Sequence, residues 1–281
     1  MAKKKFKKDF LLRFLLEISK SDMLHFGLWN TGEPLTQANL RRAQEKYTES
    51  LLSMIPKSTR DILDVGCGTG NAASRLQGMG YNVDCLSPDI YLKGLIEKNY
   101  HGRLNFYCSK FEEFDPERRY DLLLMMESFG YMKLGQAVRK CTETVRSGGK
   151  VLIADIFRNS DTEDYREFHV LDRFYREAGR NGFKVMSSVD VTGSVLPTLD
   201  YAGKLYDEYV LPISRMAVDY ISEYLEKMKL VRLMECIARP VLRKRRIKLM
   251  NGMYVKAPRL LSAENFRKKA RYMVFMLERA I

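Results

Sequence analysis

The stretch Asp61-Ile62-Leu63-Asp64-Val65-Gly66-Cys67-Gly68-Thr69-Gly70 constrains the fold of this chain more than any other. It reads as a short buried strand running into a glycine turn that opens a helix, a corner of nucleotide size. Ile62, Leu63 and Val65 form an apolar run suited to a strand covered on both faces, and the glycines let the backbone turn sharply and approach a ligand where a side chain would collide. The dinucleotide fingerprint Gly-x-Gly-x-x-Gly is not completed: Asn71 stands where its third glycine belongs, and a glycine falls early at Gly70. Hydride-transfer cofactors are therefore disfavoured. The competing reading is a tight strand-to-helix turn with no ligand.

From Arg60 to Phe157 short apolar runs alternate with helical patterns, as expected for a parallel sheet wrapped by helices. The predicted strands are 62–65, 81–86, 104–108, 120–126 and 150–157, the last after the turn Arg146-Ser147-Gly148-Gly149. A helix over 165–178 leads to a sixth strand, 183–189, and the apolar run 272–277 is the seventh. The chain between the last two is far too long for a hairpin loop and must be an insertion. Met216, Tyr220, Tyr224, Met228 and the run Leu230 to Cys236 have helical spacing, so the insertion is expected to be helical. The stripe is either core or the lining of an apolar substrate site. Three divisions follow: an N-terminal helical and aromatic lid segment, 1–55; a binding core, 56–192 with 268–281; and a helical substrate cap, 193–267.

No apolar run approaches a membrane-spanning length, and the basic start, Lys3 to Lys8, lacks the apolar core of a secretory signal, which predicts a cytoplasmic protein. The five cysteines are scattered without Cys-x-x-Cys spacing, so neither a disulfide framework nor a metal site is expected. Formal charge is +13, and its densest segment, Arg239 to Lys248, mixes apolar residues among the bases. That segment either meets an anionic membrane or a phosphate-bearing substrate, or is a solvated face.

The run Leu63-Asp64-Val65-Gly66-Cys67-Gly68-Thr69-Gly70 resembles the first motif of class I S-adenosylmethionine-dependent methyltransferases. Tyr120-Asp121-Leu122-Leu123 resembles their fourth-strand motif, Arg146-Ser147-Gly148-Gly149-Lys150-Val151 their turn before the fifth strand, and Phe111-Glu112-Glu113-Phe114 their aromatic-acid pair after the third. The resemblance covers roughly residues 60–190 and the terminal strand, and is nearest the small-molecule and lipid-modifying branch that includes cyclopropane fatty-acid synthases. It implies a Rossmann-like, seven-stranded, mostly parallel sheet with helices on both faces, and S-adenosylmethionine as cofactor with S-adenosylhomocysteine as product. Asp64, Gly66, Cys67, Gly68 and Gly70 are then expected to hold the methionine and ribose end, with Phe111 and Glu112 at the adenine. Where most members carry a ribose-binding acid, this chain has Ser87, followed by Asp89, and either can serve.

After the fourth strand, Glu127 and Tyr131 are candidates for a catalytic role, Glu127 being alternatively an exposed acid at a helix start. Cyclopropane synthases carry a histidine beside this glutamate, whereas Gly130 and Tyr131 stand here, which argues against cyclopropanation. His25, within His25-Phe26-Gly27-Leu28-Trp29, is a candidate general base in an aromatic segment that resembles one folding over the methionine end; the alternative is a buried anchor for the N-terminal helix. The expected activity is methyl transfer to an N, O or C atom of a small, amphipathic or lipid-like acceptor by a monomer or homodimer. The competing functions are methylation of RNA or another macromolecule, and a catalytically inactive cofactor-binding partner module. Absence of an Asn-Pro-Pro-Tyr type motif after the fourth strand argues against a nucleic acid.

Overall fold

In the computed structural model, the described residues are 21–159, 164–227 and 257–280. The basic N-terminal run, Met228, the run 230–236 and the basic segment 239–248 lie outside them. The strands are β1 (Asp61–Val65), β2 (Asn82–Leu86), β3 (Asn105–Tyr107), β4 (Tyr120–Met126), β5 (Val145–Arg158), β6 (His169–Val170), β7 (Phe183–Asp190) and β8 (Ala270–Arg279). The helices of the sheet unit are α1 (Gln37–Ser53), α2 (Asn71–Gly78), α3 (Ile90–Tyr100), α4 (Leu134–Thr144) and α5 (Leu171–Arg180), followed by α6 (Thr192–Leu205).

The sheet order is β3-β2-β1-β4-β5-β8-β7, with β6 beside the end of β5. Strands β1 to β5 are mutually parallel, and β8 runs antiparallel to both β5 and β7. From β1 the chain steps outward through α2 and α3 on one side and through α4 on the other. Right-handed crossovers in opposite directions place those helices on opposite faces. The order reverses between β1 and β4, and the crevice outside their carboxyl ends is where such sheets bind ligands.

Helix formation follows local chemistry. Thr36 caps α1 by accepting the Asn39 N–H, and Asp89 caps α3 by accepting those of Tyr91 and Leu92. The central strands are apolar on both sides because both faces are covered: Ile62, Leu63, Leu122, Leu123, Leu124 and Met125 are all fully buried. Beneath β4, β5 and β8, Phe129, Phe157, Phe174 and Phe275 stack in a tilted and edge-on cluster with centroids 4.8 to 6.4 Å apart. Each such ring buries enough apolar surface to contribute about 2 to 3 kcal/mol.

Two expectations change. The sheet has eight strands and not seven, because the two-residue β6 pairs with Phe157 and Arg158 of β5. The helix expected from 165 begins at Leu171, since Tyr165 is left-handed (φ +58°) and residues 165–168 form a turn closed by the Phe168 N–H on the Tyr165 carbonyl.

The described chain forms two compact units, one running to Val195 and resuming at Lys269, the other Leu196–Lys268. The second holds most of α6, a π-turn (Tyr206–Val210) and α7 (Leu211–Lys227), then α8 (Ala257–Leu260) and most of α9 (Ala263–Lys269). The insertion is thus helical where described. Met216, Tyr220 and Tyr224 on α7 are 70%, 71% and 58% exposed, so they are not core residues. No helix among the described residues is long and apolar enough to cross a membrane.

Candidate active site

The glycine turn closes on itself through Gly70 N–H to the Cys67 carbonyl, 2.9 Å, and is tied to β2 by Gly66 N–H to the Leu86 carbonyl, 2.7 Å. Its glycines do different work. A Cβ on Gly66 would sit 2.3 Å from the Ser128 Cβ, so Gly66 lets the β1 turn and the end of β4 come together. At Gly70, which precedes α2 with φ +85°, a Cβ would meet Tyr100, Leu104 and Ile96 at 2.9 to 3.2 Å. At Gly68 the nearest atom to such a Cβ is Leu24 Cδ1 at 3.9 Å, so this glycine faces open space that a ligand can occupy.

Asp64 is 2% exposed, and its Oδ2 has no hydrogen-bond partner. Burial pushes its carboxyl up to about 7. The other buried side-chain oxygens without a partner among the described residues are Asn71 Oδ1, at the end of the same turn, and Gln44 Oε1. Buried acceptors without donors are expensive, and a carboxylate most of all, unless a bound donor completes them.

The segment 21–29 lies over this corner. Thr69 donates to the Asp22 carbonyl at 2.6 Å, Asn71 to the Asp22 carboxylate at 2.8 Å, and the Phe26 N–H to Glu127 Oε1 at 2.7 Å. The segment is anchored on α1 by Leu28 N–H to the Ala43 carbonyl, and Gly27 is needed there because a Cβ would stand 2.6 Å from the Ala43 Cβ. Trp29 is buried in the same packing, at 4% exposure.

Among the candidates, Glu127 is brought to the crevice and His25 to its roof. Glu127 Oε1 also accepts from the Tyr272 hydroxyl at 2.7 Å, and burial pushes the carboxyl up to about 8. His25 faces the Phe26 carbonyl through Nδ1 at 2.7 Å; a carbonyl only accepts, so that nitrogen carries the proton and Nε2 is left to accept from Thr48 at 3.1 Å. It stacks on Tyr47, centroids 4.5 Å apart, and burial pushes it down to about 4. Both nitrogens are therefore engaged in a neutral ring. Tyr131 stands 83% exposed.

Cys67 is buried beside Cys85, which with burial pushes its thiol up. Ser87 is buried at the end of β2, its hydroxyl accepting the Asp89 N–H at 3.3 Å, while Asp89 commits Oδ1 to the α3 cap. Phe111 is buried in the main core, and Glu112 accepts the Lys133 N–H at 3.2 Å. Three residues that sequence reasoning missed complete the site: Tyr47, Tyr272 and Asp155. Asp155 accepts from Gly130 and Ile156 N–H groups at 2.8 and 2.7 Å, and burial pushes it up to about 6. An acid inside the apolar run Val151 to Phe157 was a usable signal; tyrosines on apolar faces of α1 and β8 were not.

The profile of the methyltransferase-domain family matches residues 38–203. The chain belongs to that family. Its fold is that of the class I S-adenosylmethionine-dependent methyltransferases. Among curated relatives, a ubiquinone biosynthesis O-methyltransferase of Bradyrhizobium sp. (strain ORS 278) is 28% identical over 131 residues, 45% of this chain and 52% of the relative. A malonyl-[acyl-carrier protein] O-methyltransferase of Acetivibrio thermocellus is 32% identical over 116 residues, 38% of this chain and 41% of the relative. This methyltransferase-family chain thus spans about half the length of the curated relatives it matches. Among solved structures, a putative sarcosine dimethylglycine methyltransferase from Galdieria sulphuraria superposes with a TM-score of 0.68 at 18% identity, over 96% of this chain and 98% of that one. The [4+2]-cyclase SpnF gives a TM-score of 0.66 at 15% identity, over 97% and 93%. At such identities the likeness shows the fold alone.

Proposed function

We propose that the chain transfers a methyl group from S-adenosylmethionine to a small, amphipathic or lipid-like acceptor and releases S-adenosylhomocysteine. The observation that carries this reading is Asp64: a buried carboxyl with a partnerless oxygen, at the end of β1, beside a glycine turn with room for a ligand. A donor set of this kind fits a cationic amino group. The names of the sequence relatives favour oxygen as the acceptor atom over nitrogen or carbon.

When bound, the cofactor supplies an electrophilic methyl group on a sulfonium. The chain supplies position and a place for the proton. Asp64 would receive the ammonium of the methionine end, the backbone at Gly66 to Gly68 would admit the ribose, and Ser87 or Asp89 would hold its hydroxyls. Phe111 and Glu112 would serve the adenine. Glu127 would take up the proton that the acceptor atom gives up on methylation, the X–H proton passing to its carboxylate. The Phe26 N–H and Tyr272 hydroxyl that Glu127 accepts favour its anionic form against the burial that opposes it. Positioning supplies much of the remaining rate. The helical insertion is proposed as the acceptor's cap.

Calorimetric titration tests the cofactor: both S-adenosylmethionine and S-adenosylhomocysteine should bind, and failure of both in folded protein sinks the proposal. A screen of phenols, amines and lipids for formation of S-adenosylhomocysteine then identifies the acceptor class.

A further inference from the structure

Glu127 is the residue at which the chain leaves β4, and its backbone is left-handed at φ +56°. A non-glycine residue holds that conformation at a cost, and only where its surroundings over-determine it. The surroundings here are specific. The Glu127 N–H donates to the Ala154 carbonyl at 2.8 Å, and Oε1 accepts both the Phe26 N–H and the Tyr272 hydroxyl at 2.7 Å.

Tyr272 belongs to β8 and is fully buried, as is Tyr47 of α1, and their hydroxyl oxygens are 2.7 Å apart. A phenol has one proton. Because Tyr272 spends its proton on Glu127, Tyr47 must be the donor in the second bond, so the relay runs one way, from Tyr47 to Tyr272 to Glu127. Asp155, the nearby acid, has its own oxygens on backbone N–H groups of Gly130 and Ile156 and does not compete for these hydroxyls. Glu127 Oε2 has no partner among the described residues, and the side chain is only partly buried.

We infer that Tyr272, backed by Tyr47, is a positioning residue that pins Oε1 of Glu127 so that Oε2 alone is presented to the acceptor and exchanges the proton. The inference rests on the proposed role of Glu127. It assigns a function to two buried hydroxyls where phenylalanine would fill nearly the same volume and need no partner.

The consequence is electrostatic. A hydroxyl donating to a carboxylate favours the charged form, so its removal must push the carboxyl higher still. Asp155, Tyr272, Tyr47 and Tyr131 are the ionisable groups that face Glu127. Burial keeps the tyrosines neutral there, and Asp155, held by the backbone N–H groups of Gly130 and Ile156, bonds to neither hydroxyl, so the shift reports the missing bond.

The test is infrared difference spectroscopy of the full chain, following the protonated-carboxyl stretch against pH and assigning the Glu127 band by its loss in Glu127→Gln. Tyr272→Phe should move the midpoint upward by about one pH unit. Tyr47→Phe should move it the same way by less, with circular dichroism unchanged in both. An unmoved or lowered midpoint in Tyr272→Phe overturns the inference. If that variant does not fold, an unmoved midpoint in Tyr47→Phe does so. The two claims fail separately: undiminished S-adenosylhomocysteine formation by Glu127→Gln, with an acceptor found in the screen, removes the base role and leaves the midpoint shift standing.

Discussion

Asp64 is costly to the fold and useful only to a ligand. Its folded carboxyl sits near 7 against an ordinary value of 3.8, so between about pH 4 and 7 the folded chain holds a proton that the unfolded chain has lost. Stability therefore falls as pH rises through that window and stays low above it. Asp64→Asn should be more stable than the parent at pH 8, by on the order of 1 to 3 kcal/mol, with no gain at pH 4, as read by denaturant titration. The same variant should lose S-adenosylmethionine, and in the parent the affinity should drop about tenfold per pH unit below 7 as the carboxyl protonates. Flat affinity from pH 5 to 8 would exclude Asp64 as the ammonium partner. The glycines give a second contrast. Gly68→Val should cost some stability, because φ +54° strains a branched side chain, and should lose cofactor binding in the folded protein, because its Cβ enters open space, whereas Gly66→Ala should disturb the fold further against Ser128. Melting temperature and calorimetry separate the two; binding by Gly68→Val at parental affinity would remove the turn from the site. Asp64 and these glycines were legible in sequence because they are adjacent. The Tyr47–Tyr272–Glu127 relay was not, because its members come from α1, β8 and β4 and meet only when the sheet closes.

At the scale of elements, the strands were legible to within a few residues because a doubly covered sheet leaves an unmistakable rhythm of apolar runs. What blurred was β5, which begins at Val145 and takes in the glycine pair expected as a turn. The reason lies at the opposite edge of the sheet from the site. Arg146 pairs with Asp61 at 2.8 Å and with Asp121, and Arg118 reaches Asp61 and Asp84 at 3.0 and 2.8 Å. These pairs join β1, β2, β4 and β5 at that edge, where the β4–β5 register shifts between Tyr120 and Leu122. The arginines of these pairs are half-exposed, so solvent screens each pair and the clamp depends also on backbone fit. Gly149 is the fitted point: a Cβ there would stand 2.6 Å from Val145 Cγ2 and 3.1 Å from the Asp121 carbonyl. Gly149→Ala should destabilise by about 1 to 3 kcal/mol without changing cofactor affinity measured in the folded state. A variant as stable as the parent would show that the edge relaxes freely.

At the scale of the whole molecule, the insertion was legible as an interruption, since a sheet edge closed by β7 and β8 needs only a short loop and the chain spends residues 196–268 there. Its interior was less legible: a stripe of Met and Tyr signals a helix but not which surface covers it. The strands that flank this excursion are joined directly. β7 and β8 are directly paired, Asp190 opposite Met273, and Val191 N–H reaches the Tyr272 carbonyl at 3.0 Å. Tyr272 N–H in turn donates to Thr192 Oγ1 at 2.9 Å, so the chain ends that the insertion separates already lie side by side. Replacing 196–268 by a short Gly/Ser linker shortens a loop, which lowers its closure entropy cost slightly. The shortened chain should therefore fold, show the Glu127 infrared band, and bind S-adenosylmethionine within about tenfold of the parent, since Asp64, Gly68 and Glu127 all belong to the retained unit. It should also lose turnover of whichever acceptor the screen identifies. Full turnover after the excision would show that the acceptor is held by the sheet unit and the 21–29 segment alone, and would end the assignment of the insertion as a cap.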